Sequence, residues 1–329
     1  MGSINISGMP LQEVILDRID DSAGPFCMSF GFDLTPLMTS IKAVGLVNPP
    51  VLRTAQGELA VVAGYRRIKA LKALNIESIP CRILRAEDMS PIQCLLLNLY
   101  DNLAARGLND MEKGMALRRL SVWAAQRELV THYMPLLGLP PDEKCLMFFL
   151  EMERNLDGET KAFIAEGRLS SRTVRILAQM DETSRTSLMK GISMLNLNFN
   201  QQLLFIDYVV DLAHIDAKEI SQIVAELGFD RKDQRQASNR PQKARETLNR
   251  LRKRRNPCIV KAEERFRRMV SGLNLPHGMR INAPPFFEGS DYRLEVLFTH
   301  GEDLQLKLER LIQGGRLSQL RNPWEETSV

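Results

Sequence analysis

The sequence is poor in aromatic residues, histidine and cysteine, and each shortage removes a class of function. Aromatics make up 6% of 329 residues, with two Trp and five Tyr. A base-stacking platform for single strands needs rings interleaved with its cations, so that reading is disfavoured. The four histidines are scattered and offer no metal or triad constellation. Cys27, Cys81, Cys94, Cys145 and Cys258 are odd in number and never in C-x-x-C spacing, which supports neither a disulfide framework nor a zinc site and reads as reduced core residues. No apolar run approaches the roughly 20 residues needed to cross a bilayer, so no membrane partner is expected. Met1–Pro10 lacks a charged n-region and an apolar h-region, and Ile6 stands where a myristoylation signal wants Ser or Thr. The chain is therefore expected to stay in the cytoplasm.

What is abundant is aliphatic residues and, locally, positive charge. The length exceeds what one core usually organises, and a 44% hydrophobic content rich in Leu, Met and Ile favours helix. The net charge of +4 hides an asymmetry: residues 231–268 hold 15 Lys/Arg against 4 Asp/Glu, a local +11, leaving −7 elsewhere. An acidic body with one basic block points to a polyanionic partner at that block, nucleic acid first.

Residues 11–20 alternate as a strand. Thr35 and Pro36 are placed to open a helix whose buried face is Leu37, Met38, Ile41 and Val44, with Gly45 ending it. Residues 50–53 and 59–63 read as a hairpin, Gly64 breaks the second strand, a basic helix runs over 66–74, and 79–84 is a strand. Ser90-Pro91, Asn109 with Glu112, and Ser170 mark helix starts in an all-helical stretch. A polar segment at 230–241 reads as a linker, followed by helices over 242–255 and from Asn256-Pro257 to 273, strands at 279–283 and 292–299, and a helix over 302–312. The fold class is α+β multidomain: a small mixed α/β domain (1–88), an all-helical domain (89–228), a basic linker or helix (229–256) and a small α+β domain (257–329) expected to dimerise.

Gly64-Tyr65-Arg66-Arg67-Ile68-Lys69-Ala70, directly after a strand, is the strongest local motif. Glycine permits close backbone approach, the helix N-terminus offers free N–H groups, and two arginines add forked donors, all suited to phosphate. The plainer reading is a strand-to-helix joint with solvated arginines. The order of several such pieces resembles the ParB family: Gly45-Leu46-Val47-Asn48-Pro49-Pro50 is similar to its G-x-x-Q-P element, Gly64–Ala70 to G-E-R-R-x-R-A, and Asp101–Glu112 to E-N-x-x-R-x-x-L-N-x-x-E. Leu137-Gly138 and Glu166-Gly167-Arg168-Leu169-Ser170 resemble its helix-turn-helix start and the turn beyond. The N-domain fold of that family is also that of sulfiredoxin.

The resemblance implies a pocket for CTP and Mg²⁺ involving Gly45, Asn48, Pro49, Gly64, Tyr65, Arg66, Arg67, Asp101 and Asn102, with Asp101 and Asn102 near the metal. It also implies duplex DNA, a homodimeric state, nucleoid association and a partition ATPase as partner. Tyr65 replaces the family's Glu, Asn48 its Gln and Ala105 its Arg, and Gly24–Phe32 carries no cation. Weak CTP binding and slow turnover are expected. Asp101–Leu108 as a mere helix connection, a ParB-like nuclease or other nucleotide-dependent enzyme, and a non-catalytic protein–protein adaptor remain open.

The helix-turn-helix would present a reading helix over 141–152 in which only Lys144 is basic, and Cys145–Leu150 looks like core. DNA contact is therefore assigned chiefly to Lys243, Arg245, Arg250, Arg252, Lys253, Arg254 and Arg255, with Lys144 as a secondary candidate. A charge run can also be only a solvated face.

Overall fold

The computed structural model describes residues 6, 8–20, 22–55, 57–229, 239–289, 291–314 and 317–324. Most of the linker expected at 230–241 lies outside them. The chain divides into two compact units, one up to Arg185 and one from Thr186 onward.

The first unit opens with a four-stranded sheet in the order β1–β4–β2–β3, from β1 (Leu11–Ile15), β2 (Val51–Ala55), β3 (Glu58–Ala63) and β4 (Ser78–Leu84). β1 and β4 are antiparallel with Val14 opposite Ile79, β2 and β4 are parallel with Leu52 opposite Ile83, and β2 and β3 form the expected hairpin. Val14, Leu52, Val61, Ile79 and Cys81 form a core with Ile68 and Leu71 of α2 (Tyr65–Ala73), each at most 7% exposed. Burying one such aliphatic side chain stabilises by about 1.5–3 kcal/mol. α1 (Thr35–Val44) departs from expectation. It packs on α2 and forms an outer layer, so none of its residues is fully buried, Val44 is 69% exposed, and only Ile41 reaches the core edge. Its first amide is capped by Asp33, whose Oδ1 accepts from Thr35 N at 2.9 Å, where Thr35 itself was expected to cap.

α3 (Pro91–Ala105) packs against β3, and its start is fixed by a reciprocal Ser90/Gln93 capping box. α4 (Asp110–Leu120) starts with the Asn109/Glu112 box. A helical run follows, composed of α5 (Gln126–Glu128), a π turn (Leu129–Tyr133) and α6 (Met134–Leu136), then α7 (Glu143–Asn155), α8 (Gly158–Ala165) and α9 (Ser171–Ala178). At Gly138, φ is 69° and Leu139 N donates to the Met134 carbonyl at 2.8 Å. At Gly167, φ is again 69° and Arg168 N donates to Phe163 O at 2.9 Å. Both are left-handed helix stops that only glycine adopts without strain. Helices thus end at Gly138 and at Gly167, the latter just before the start of α9 at Ser170. On α7, Cys145, Leu146, Phe149 and Met152 are buried, while Met147 is 46% exposed. α10 (Glu182–Leu195) follows.

In the second unit α11 (Phe199–Ile215) and α12 (Ile220–Ala225) precede α13 (Arg240–Arg255) and α14 (Pro257–Gly272). α13 buries Ala244, Thr247 and Leu251 and packs along α11, so the basic segment is an integral helix of this unit. An added Cβ at Gly191 would lie 2.4 Å from Phe205 Cζ, which fixes how closely α10 meets α11. The C-terminal part is an antiparallel pair, β5 (Met279–Asn282) and β6 (Arg293–Val296), with Met279 opposite Val296, followed by α15 (Gly301–Gln313). Phe266 of α14 stacks on Tyr292 at 5.5 Å and meets Phe287 edge-on at 5.6 Å. The described fold is mostly helical with two small sheets. No helix among the described residues is long and apolar enough to cross a membrane.

Candidate functional site

Gly64 joins β3 to α2 in a left-handed conformation, φ 94°, with no side chain capping the helix. A Cβ there would stand 3.1 Å from Cα and Cβ of Pro50 and 3.3 Å from Arg67 Nε. Glycine is required by the dihedral and by the approach, and the N-terminus of α2, which the Gly64 cap gives no side-chain hydrogen bond, is receptive to an anion. Arg67 Nη1 donates to the Asn48 carbonyl at 2.7 Å and Nη2 to Asp101 Oδ2 at 2.8 Å. One guanidinium therefore ties the loop after Gly45, itself the C-cap of α1 with φ 77°, to the end of α3. Asn48, Gly64, Arg67 and Asp101 converge, and half-buried Pro49 lies between Asn48 and Pro50.

Asn102 directs its amide nitrogen to the Asn98 carbonyl at 2.9 Å and to Asn98 Oδ1, while Asn98 donates to the carbonyl of Phe26. Asp101 is 44% exposed. A carboxylate and an amide oxygen are hard ligands that suit Mg²⁺. Among the described residues no group of three or more His, Cys, Asp and Glu could hold a metal, so phosphate and water would have to complete the shell. Tyr65 is edge-on to Phe32, ring centroids 6.0 Å apart, and the Arg66 guanidinium lies 4.7 Å from the Phe32 ring centre. The position that carries Glu in the resembled motif is thus an aromatic contact here.

The focus of this region is Glu112, whose side chain is 0% exposed. Its Oε1 accepts from Arg66 Nη2 at 2.6 Å, Arg106 Nη2 at 2.9 Å and Phe30 N at 3.1 Å; Oε2 accepts from Arg106 Nη1 at 2.6 Å and Asn109 N at 3.1 Å. Asn109 Nδ2 donates to the Phe30 carbonyl at 2.9 Å, and Arg119 donates to Pro25 O at 2.9 Å and Gly24 O at 3.2 Å. Segment 24–32 is therefore a strap seated on α3 and α4, with Phe26, Cys27, Met28 and Ser29 all buried. Burial lowers the Arg66 pKa from its ordinary value and neighbouring Arg106 adds to this; burial likewise lowers that of Arg119. Among the described residues, Arg66 Nε is buried with no hydrogen-bond partner.

In the sequence Glu112 is visible as half of a capping box and as the last residue of the Asp101–Glu112 motif, but neither it nor Arg106 is marked there as a site residue. The available signal was positional, because Arg106 stands one residue beyond Ala105, where the motif carries arginine. No cue in the sequence announced that Phe30 would join the same carboxylate.

On α13 the expected DNA contacts are largely paired. Arg254 Nη1 bridges Glu226 at 2.6 Å and its Nη2 Asp216; Arg255 Nη1 bridges Asp207 at 3.0 Å and its Nη2 Asp211. Arg252 meets Glu263, Lys253 Nζ lies 3.3 Å from Glu264, and Arg250 donates to the Leu227 carbonyl at 3.1 Å. Lys243 is half-buried and Arg245 exposed on the same helix. Lys144 lines a groove of about 400 Å³ with Glu143, Glu151, Met147 and Phe148, where Arg175 lies 4.8 Å from the Phe148 ring centre.

Residues 8–99 match the family described as the ParB N-terminal domain. Over these residues the chain is similar to ParB proteins. It is 30% identical over 159 residues to a probable chromosome-partitioning protein ParB of Vibrio cholerae, covering 41% of this chain and 53% of that one. It is 23% identical over 244 residues to the probable chromosome-partitioning protein ParB of Campylobacter jejuni, covering 68% and 81%. The chain spans about half the length of the first curated relatives it matches. A crystal structure of the C-terminally truncated ParB of Caulobacter crescentus complexed with CTP-γ-S aligns at 18% identity over 56% of this chain and 98% of that one, with a TM-score of 0.25.

Proposed function

We propose that this chain holds duplex DNA in chromosome or plasmid partition, and that CTP with Mg²⁺ at the head of α2 governs the hold. The observation that carries the reading is the convergence of uncapped α2, the Asn48 loop, Arg66, Arg67 and the Asp101-Asn102 pair on one place. In this reading the amides of α2 with Arg66 and Arg67 take the phosphates, and Asp101 and Asn102 supply oxygens to the metal. Turnover is slow, because Tyr65 puts an aromatic ring where the motif's carboxylate would stand. The names of the relatives as chromosome-partitioning proteins support the biological setting.

DNA phosphates are met along α13, chiefly by Arg245 and Lys253, with Lys243, Arg250, Arg252, Arg254 and Arg255 contributing as their pairs open, and at α7 by Lys144. Two copies associate through the C-terminal sheet and α15, where Leu294, Leu297, Phe298, Leu306 and Ile312 are 43%, 72%, 52%, 48% and 70% exposed, more apolar surface than a two-stranded unit leaves open when it stands alone. Nucleoid localisation follows from DNA holding, and a partition ATPase is the partner that the ParB likeness brings with it. Calorimetric titration of CTP, ATP and GTP with Mg²⁺ tests the pocket. Heat with CTP alone, lost in Arg66→Ala, is expected. Equal heats for the three nucleotides, or none, overturn the reading.

A further inference from the structure

Two guanidiniums, Arg66 and Arg106, share one carboxylate, Glu112. Their side chains are 26% and 22% exposed, and that of Glu112 is 0% exposed. The three groups together carry a net positive charge in a partly desolvated place, and Arg66 Nε has a buried N–H with no acceptor among the described residues. Excess charge and an unused donor both call for a second anion. The same Glu112 oxygen that accepts from both arginines also accepts from Phe30 N, and the Phe30 carbonyl is held by Asn109 at the head of α4. The anion-binding donors and the seat of strap 24–32 thus depend on one carboxylate.

We propose that Glu112 is a resident counter-anion that nucleotide phosphate displaces from Arg66 and Arg106, and that this exchange unseats the strap at Phe30. The inference rests on the nucleotide reading above and adds to it Arg106 as a phosphate-facing cation and Glu112 as a positioning residue. When phosphate draws the two arginines away, Glu112 keeps only the amides of Phe30 and Asn109. A buried carboxylate so depleted must gain water, and the direct route for water is past Ser29 and Phe30, because Ser29 Oγ accepts from Arg106 Nη2 at 3.3 Å and loses that donor in the same step. Phosphate occupancy and strap seating therefore oppose one another, and each weakens the other by the same factor.

The test uses the full chain. Glu112→Gln keeps the size and the oxygen acceptor but removes the charge that holds the arginines, so CTP with Mg²⁺ should bind it about tenfold more tightly than wild type. Amide hydrogen exchange at Ser29–Phe32 should quicken in wild type on adding CTP, and should already be fast in Glu112→Gln without it. The wild-type exchange measurement needs no variant and keeps the idea testable if Glu112→Gln folds poorly. If wild type binds CTP and Arg66→Ala abolishes it, yet Glu112→Gln binds no more tightly or strap exchange ignores CTP, the counter-anion idea is wrong and the nucleotide reading stands. If wild type binds no CTP, both fall together.

Discussion

Replacing Arg252, Lys253, Arg254 and Arg255 with Gln is the most informative perturbation of the basic helix, because bare charge counting and the structure give different numbers. On duplex DNA each neutralised phosphate contributes about 0.9 to the slope of log affinity against log salt, so four free cations would contribute about 3.6. Arg254 and Arg255 each face two carboxylates, and Arg252 faces one, all within the same unit. A cation already neutralised by the protein displaces few counterions when it meets a phosphate. Lys253 is the exception, 62% exposed and paired at 3.3 Å. The quadruple variant should therefore flatten the slope by about 1, the contribution of one contact. Asp207→Asn combined with Asp211→Asn should steepen it by about 0.9, since Arg255 is then released. Fluorescence anisotropy of a labelled duplex over a series of salt concentrations gives both slopes. A fall of about 3 in the quadruple variant, with its thermal melt unmoved, would show that these ion pairs do not withhold charge from DNA.

Gly31→Ala should destabilise the first unit by about 2–4 kcal/mol, because φ is 59° and the new Cβ would stand 2.3 Å from Ala165 Cβ; a melting temperature within a degree or so of wild type would contradict this. Of the cysteines only Cys258 is exposed, and burial pushes Cys81 up to about 11, so a thiol reagent at neutral pH should label one site quickly in the native chain and five after denaturation. Desolvation alone would raise the pKa of Asp157, but hydrogen bonds from the Thr160 amide and hydroxyl, with Arg185 adding, outweigh it and hold the carboxyl below its ordinary 3.8. A depressed carboxylate contributes stability that is complete above that value and is lost as pH falls below it. Asp157→Asn should therefore reduce the acid-side loss of stability, and an unchanged pH profile would exclude the contribution.

Local chemistry made much of the fold legible. Ser90, Asn109 and Ser170 start helices where their local signals put them, and the apolar runs on either side of residues 55–58 pair as the expected hairpin. What was illegible depends on partners far apart in sequence. α1 has an apolar stripe, yet it packs on α2, and Leu37, Met38 and Ile41 are only half-buried. The charge of α13 reads as a free arm in one dimension, and its neutralisers at Asp207, Asp211, Asp216 and Glu226 come from elements that only packing brings near. At the site, Gly64, Arg66 and Arg67 were visible from the strand-to-helix switch, whereas the gathering of Phe30, Arg66, Arg106 and Asn109 on Glu112 spans 82 residues.

The strap has a consequence for where the chain can be cut. Phe26 and Phe30 are held by Asn98, Asn109 and Glu112, and Gly24 and Pro25 by Arg119. A fragment ending at the last strand of the first sheet would retain its α2 core and lose every one of those anchors, leaving Phe26, Cys27 and Met28 in water. The sheet and the helices as far as α4 should therefore melt together, and a truncation that looks natural in the sequence falls inside that unit.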